Sequence, residues 1–456
     1  MSLASILNIA RSALLTQQKA LDVTGHNIAN ASVDGYSRQR LRIEAATPLL
    51  TPMGSFGRGV EGVAVERARS QFLDATFRQE TGLLGKYSTT SDILGQIEDL
   101  MGEPSDSGLG ATIDNFLSAM NDLANDPANP TTRLLARQAG QSLVGRFNEA
   151  DARLGDLDGQ VLQRLQDSVD QVNSIAKQIA GLNPQIQMAR ANGQQAPDLE
   201  DQRDRLLDQL SGQVGLRVIE HGDGTIGIMA GDAMLVDGGQ AQALDVKALA
   251  GGGYGVGYVG NATVINTGTG GIQALADLST TTLPNLRTQL DTLANGIVTE
   301  VNGLHRTGTN LAGATNVDFF NPAGTTAKSM ALSAAVLATP DNIAASATGG
   351  AGDGSIAMKI AALRTAGVAS LAGKTIGDTY TALISSVASQ VQAADQGASA
   401  QQTILASVTE RRSSERGVSV DEELTNLIQQ QHAFAAASRL VSVADEMMQS
   451  ILQMVG

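Results

Sequence analysis

The 456-residue chain has no cysteine and no tryptophan, and aromatic residues make up 3% of it. Without cysteine there is no disulfide framework and no thiolate chemistry, whether nucleophilic or metal-binding. Without large aromatics, and with 50 glycines, the composition suits long, thin helical packing joined by glycine-rich turns better than one thick core. Length sets no limit on burial, since about three domains are expected at this size. Basic clusters are also missing. The net charge is -15, which argues against a nucleic-acid partner, because phosphate neutralisation needs grouped Lys and Arg. No run of about 18 apolar residues points to a membrane span. The N-terminus lacks a basic leader region, and Arg11 interrupts the apolar stretch, so a cleaved secretory signal is not expected.

Periodicity is strongest at the two ends. Leu3, Leu7, Ala10, Leu14, Gln17, Leu21, Thr24 and Ile28 follow alternating steps of four and three, the seam of a helix packed along another helix. Val420, Leu424, Leu427, Gln431, Phe434, Ser438, Val441, Asp445, Met448, Leu452 and Val455 repeat that rhythm. Both ends therefore read as long amphipathic helices, with polar Gln17, Thr24, Gln431 and Ser438 placed to set register. The first is expected from about Ser2, as N-cap, to Ile28, a length of about 40 Å. Asp34-Gly35 then supplies a turn.

Arg38, Arg40 and Arg42 alternate with Gln39, Leu41 and Ile43 as a short strand with one basic face, and Val60 to Val65 forms a second strand after a Pro- and Gly-containing loop, giving a small hairpin. Helices are expected from Gln71 to Met101 and Ile113 to Leu123. A rod follows from Thr131 to Leu182, ended or kinked at Pro184. Asp198 to Leu210 forms a helix charged on one side, returning along the rod. Between Gly215 and Ile265 the period changes to two, a β insert. Helices resume at Leu283 to Leu304, Ile356 to Leu363 and Ile376 to Arg412, the last balancing the rod, with an irregular stretch from His305 to Ala347.

The expected fold is therefore mainly α with a β insert, α+β and nested. Residues 1–66 with 413–456 form a terminal coiled-coil domain and linking hairpin. Residues 67–214 with 283–412 form a helical rod domain, and residues 215–282 a small outer β-rich insert. The chain ends should lie together at one tip and the insert at the other.

Motifs for chemistry are weak. Gly255-Val256-Gly257-Tyr258-Val259-Gly260 matches a three-glycine dinucleotide pattern, but strand-like sequence follows it where a helix N-terminus is needed. Gly373-Lys374-Thr375 resembles the end of a phosphate loop whose leading glycine is missing, since Val368 stands there. His26, His221, His305 and His432 lie at no metal-ligand spacing, although His26 and His432 could approach if the terminal helices pair. No catalytic, cofactor-binding or metal-binding residue is assigned, and a non-enzymatic role is expected. A nucleotide-binding enzyme using the glycine-rich segment is the alternative from a different class.

Asn27-Ile28-Ala29-Asn30 followed by Asp34-Gly35-Tyr36-Ser37-Arg38-Gln39 resembles a signature shared by rod, hook and hook-associated proteins of the bacterial flagellum. Gly417-Val418-Ser419-Val420-Asp421-Glu422-Glu423-Leu424 is similar to the version found in the flagellar hook-associated protein 1 family. Gly59-Val60-Glu61-Gly62-Val63, the stretch Arg67 to Gln79, Asp318-Phe319-Phe320 and Arg411-Arg412-Ser413 agree, while the β insert is weakly matched. The resemblance implies a structural subunit of the hook-filament junction, exported unfolded by the flagellar type III route and assembled as a ring of copies. Its implied partners are the hook protein, a second junction protein and a cytoplasmic export chaperone that covers the C-terminal segment. A hook or rod subunit of the same axial class is the nearer alternative.

On this reading the assembly interface comprises Leu3, Leu7, Ala10, Leu14, Leu21, Ile28, Leu424, Leu427, Phe434, Val441, Met448 and Leu452. Asn27, Asn30, Gly35, Tyr36, Arg38, Asp421, Glu422 and Glu423 carry the family signature. Two states of the terminal helices remain open: a completed intramolecular bundle, or segments that order when copies assemble.

Overall fold

A computed structural model describes residues 3–51, 54–102, 105 and 108–455. Ser2, the expected cap of the first helix, lies outside the described residues, as does the side chain of Val455. Helix α1 (Leu3–Asn30) leads into strand β1 (Gln39–Ala45), a short ribbon of β2 (Leu49–Thr51) and β3 (Gly54–Phe56), and strand β4 (Val60–Arg67). β1 and β4 pair antiparallel with a bulge at Arg42/Ile43, which is the expected hairpin.

Helix α2 (Gln71–Met101) starts at a Ser70 cap that accepts from the Leu73 amide and stops at Gly102 in the left-handed conformation. Those signals make its bounds readable from sequence. α3 (Leu109–Asn125) and α4 (Pro130–Ala191) follow, then α5 (Pro197–Ser211). α4 holds Leu154, Val161, Leu165, Val169 and Val172 buried along one face.

α4 does not end at Pro184; it continues to Ala191. The missing amide there is offset by anchoring from outside the helix. Asn183 donates from Nδ2 to the carbonyls of Ile226 (2.9 Å) and Gly238 (2.6 Å), and its Oδ1 accepts from Arg203 (2.9 Å). These three bonds hold the turn in place where an isolated helix would break.

The insert contains two antiparallel sheets. β5 (Leu216–Glu220), β6 (Ile226–Ala230), β7 (Ala233–Asp237) and β8 (Gln240–Ala241) form one in sequence order, and β9 (Leu244–Ala248), β10 (Tyr254–Tyr258) and β11 (Val264–Ile265) form the other in the order β11-β10-β9. Strand β6 is buried almost throughout, and Ile226, Ile228, Leu235 and Val256 belong to the same core cluster as the helices. The strands stop at Ile265; α6 (Gly271–Asp277) and a π-turn at 278–282 return the chain to α7 (Leu283–Arg306).

The sheets do not occupy the tip opposite the chain ends. They flank α4 and reach the hairpin side of the body, where Gln71 donates to Glu220 at 2.8 Å. The far end is closed instead by the irregular segment after α7, with α8 (Ala334–Ala338) and α9 (Ser355–Ala361). There Asn302 holds the backbones of Phe319 and Phe320 through three hydrogen bonds, and both rings pack on Phe116 with centroids 5.4 and 5.7 Å away.

α10 (Ile376–Arg416) returns along α2, so its closest companion is α2 and not the rod α4. Tyr380, Leu383, Val387, Ala394 and Gln401 form the buried seam. α11 (Val420–Val455) then pairs antiparallel with α1, which fulfils the nested, coiled-coil reading of the ends. No single helix among the described residues is long and apolar enough to cross a membrane.

Candidate assembly interface

The signature residues converge at the base of the body. Asn27 is 1% exposed and uses its whole amide: Nδ2 donates to Gln39 O (2.9 Å) and Glu423 Oε2 (3.0 Å), and Oδ1 accepts from the Tyr36 hydroxyl (2.8 Å) and the Gln39 amide (2.9 Å). No apolar residue could replace four bonds at a buried position. Arg38 meets Glu423 at 2.6 Å and Glu422 at 3.0 Å, and its amide donates to Arg416 O at 2.9 Å. The loop after α1 is thus fixed to the start of α11 and to the end of α10.

Gly35 has φ +76°, and a Cβ there would stand 2.4 Å from the Arg205 side chain, so both backbone and space require glycine. Asn30 donates to the His26 carbonyl at 2.9 Å. Burial holds the Tyr36 phenol well above its ordinary range, and the carboxylates of Asp198, Asp201 and Glu423 push the same way. Asp421 is exposed in the first turn of α11, where a negative charge complements the helix N-terminus.

Beside this lies a buried ionic network. Arg67 pairs with Glu200 (2.9 Å), Asp201 (2.7 Å) and Asp204 (2.7 Å). Arg69 pairs with Asp74 (3.0 Å) and Asp204 (2.7 Å), Arg78 with Asp204 (3.1 Å) and Asp208 (2.9 Å), and Arg412 with Asp74 (2.6 Å) and Asp208 (2.7 Å). Arg412 also stacks over Phe77, 4.3 Å from its ring centre. Burial alone would raise the Asp204 carboxyl, but Arg69, Arg67 and Arg78 outweigh it and hold the group well below the usual range. The network links β4, α2, α5 and α10.

Sequence reading missed this site. The charged side of α5 is not a solvated face: Glu200, Asp201, Arg203 and Asp204 are buried. The available signal was Asp201, Asp204 and Asp208 on one helical face with Arg67, Arg69 and Arg78 just beyond the hairpin. Of the basic strand face expected at 38–42, Arg38 precedes the strand and turns to α11, Arg42 pairs with Glu44 and Glu66, and Arg40 is exposed.

The terminal pair differs from its expected seam. On α1, Ala10 is fully buried and Leu3, Leu7, Leu14, Leu21 and Ile28 are half-buried. On α11 the face against α1 is Glu423, Gln430, Ala437 and Ala444, a heptad one residue ahead of the expected one, with Leu427 and Val441 half-buried beside it. Thr24 donates to Gln430 at 3.1 Å, so Gln430 and not Gln431 sets the register. Ser438 bonds back to its own helix at Phe434 O. Val420, Leu424, Phe434, Met448 and Leu452 face outward, joined by Ile428, Leu440, Val443, Met447 and Ile451. Alanines at 437 and 444 let the backbones approach closely, which large side chains at those positions would prevent; the large apolar groups are left on the outer surface.

The weak motifs resolve as scaffold. Gly255 and Gly257 lie in antiparallel β10, where a Cβ would strike Val264 at 2.7 Å and Thr263 O at 2.4 Å, so that segment is not the strand-to-helix turn a dinucleotide needs. Thr375 caps α10 by accepting from Asp378 at 2.9 Å. His26 is engaged by Asp198 and Tyr36, while His432 is exposed on α11.

Residues 94–320 match the family model for the flagellar hook-associated protein FlgK helical domain. Residues 7–36 match that for flagella basal body rod proteins, and 413–454 that for the flagellar basal body rod FlgEFG protein C-terminal region. Flagellar hook-associated protein 1 of Bacillus subtilis is 30% identical over 505 aligned positions, covering 99% of this chain and 98% of the relative. The chain belongs to the flagellar hook-associated protein 1 family. The Escherichia coli hook-associated protein 1 is 32% identical over 70% of this chain and 60% of its own length. The solved flagellar hook junction protein FlgK from Burkholderia pseudomallei shares the fold, with a TM-score of 0.65 over 76% of this chain and 100% of that one at 15% identity. Membership places the chain in a family of structural components of the bacterial flagellum, which is not an enzyme family.

Proposed function

We propose that the chain is a subunit of the hook-filament junction, in which the α1/α11 pairs of neighbouring copies form an inner helical tube. The copies assemble as a ring between the hook protein and a second junction protein. The observation that carries this reading is the apolar surface that α11 leaves open: Leu424, Ile428, Val443, Met447, Ile451 and Leu452 are all more than a third exposed. Exposed apolar surface of this extent marks an interaction site. Before assembly the same surface needs cover, which supports export by the type III route with a cytoplasmic chaperone on the C-terminal helix.

The rod-family matches at both ends support the neighbouring reading of a hook or rod subunit that polymerises into long tubes. The substitution Leu424→Asp separates folding from assembly. A folded body with no junction and no motility is expected; normal motility in that strain would remove the proposal. Long self-polymers of purified wild-type chain would favour the rod or hook reading.

A further inference from the structure

The ribbon β2–β3 carries the most exposed large apolar side chain among the described residues: Leu50 is 83% exposed, beside Leu49 at 57%. Its two strands pair only with each other, and a lone two-stranded ribbon is marginal in water. Its height along the terminal pair is fixed. Gly59, at the ribbon's neck, lies so close to α1 that a Cβ would stand 2.3 Å from Ser12 Oγ and 3.3 Å from the Ile9 backbone, and Thr16 donates to Val60 O at 3.3 Å.

α1 and α11 are antiparallel and in register at Thr24 and Gln430. Fourteen residues further along each helix lie Ala10 and Ala444, both fully buried. The ribbon's neck therefore stands level with the α11 segment around Ala444. That segment leaves Val443, Met447 and Ile451 exposed at i, i+4 and i+8, with exposed Glu446 three residues after Val443 on the same side. The neck presents Arg58, exposed and in no ion pair among the described residues. An apolar ribbon and an apolar helix face, and a cation and a carboxylate, thus lie exposed at one height of the terminal pair.

We propose that the ribbon of one copy packs on the Val443–Ile451 face of α11 in a second copy, with Arg58 against Glu446. This rests on the assembly reading above and names a lateral contact within it. The ribbon would then clasp adjacent copies around the ring, outside the α1/α11 contact.

The chain has no native cysteine, so disulfide trapping is clean. Copies carrying Leu50→Cys and copies carrying Met447→Cys are co-expressed, and isolated flagella are oxidised. A dimer-sized band is expected from the mixture and from neither variant alone. Arg58→Glu in the first copy should lower the trapped yield several-fold, and Glu446→Arg in the second should restore it. Incorporated copies that give no mixed dimer would overturn the contact while leaving the assembly reading intact. Folded copies, verified by circular dichroism, that never enter the flagellum would count against the assembly reading and the contact with it.

Discussion

Glu422 and Glu423 are adjacent in sequence and face opposite environments. The Glu423 side chain is 2% exposed and shared between Arg38 and Asn27, whereas Glu422 is 65% exposed. Removing one partner of a buried pair leaves the other charge uncompensated, at a cost of about 3 to 5 kcal/mol, against less than about 1 kcal/mol at the surface. Glu423→Gln should therefore speed hydrogen exchange in the first turns of α11 by orders of magnitude, and Glu422→Gln should barely change it. Equal effects would contradict the pairing.

His305 offers a second residue-level test. Its Nδ1 lies 2.6 Å from Val317 O, and its Nε2 accepts from the Ala344 amide at 2.8 Å, so the ring is held neutral. Burial pulls its pKa from 6.5 down to about 4. The unfolded chain then binds the proton first as pH falls, so this contribution to stability is complete above about 6.5 and is lost progressively towards 4. The difference amounts to about 3 kcal/mol. Denaturant midpoints should decline across that window, and His305→Asn, less stable at pH 7, should lack this part of the slope.

At the scale of elements, size matters as much as polarity. The four-three rhythm identified α11 as amphipathic, but it could not show that alanines, and not leucines, face α1. Hydrophobic periodicity counts apolar positions without weighing how close two backbones must come. Ala437→Leu should wedge the pair apart and cost about 1 to 3 kcal/mol, read as faster tryptic cleavage at Arg439; unchanged cleavage would refute the close approach. The bounds of α2 were legible because Ser70 and Gly102 act locally. The passage of α4 through Pro184 was not, because the bonds that anchor it come from Ile226 and Gly238, 43 and 55 residues away. For the same reason the charged side of α5 could be recognised but not assigned to a buried network: an ion network and a wet surface have the same sequence pattern until their partners are placed.

Across the whole molecule, burial divides the chain into two kinds of attachment. The body shares one continuous apolar cluster from Ile93 to Ala394, while the base is held by hydrogen bonds and ion pairs such as Ser37–Asp201, Arg67–Asp204 and Arg38–Glu423. The depressed Asp204 carboxyl makes this attachment acid-sensitive. Its contribution is present above the ordinary carboxylate range and is lost as pH falls through that range towards the lowered value. Asp204→Asn should remove about 3 to 5 kcal/mol from the base and make α5 and the hairpin open before the body in thermal unfolding followed by proteolysis. A single transition, unshifted from wild type, would show that the network contributes little.

The side-by-side departure of α2 and α10 from that base has a mechanical consequence. Arg412 of α10 is pinned to Asp74 of α2 and to Asp208 of α5, so the outgoing and returning helices are cross-tied where they meet the terminal pair. Tension or twist applied along α1 and α11 is divided between two helices loaded in parallel. Because Arg412 makes the two helices move together, the buried seam from Tyr380 to Gln401 is spared relative sliding, and load passes into the body through both helices at once.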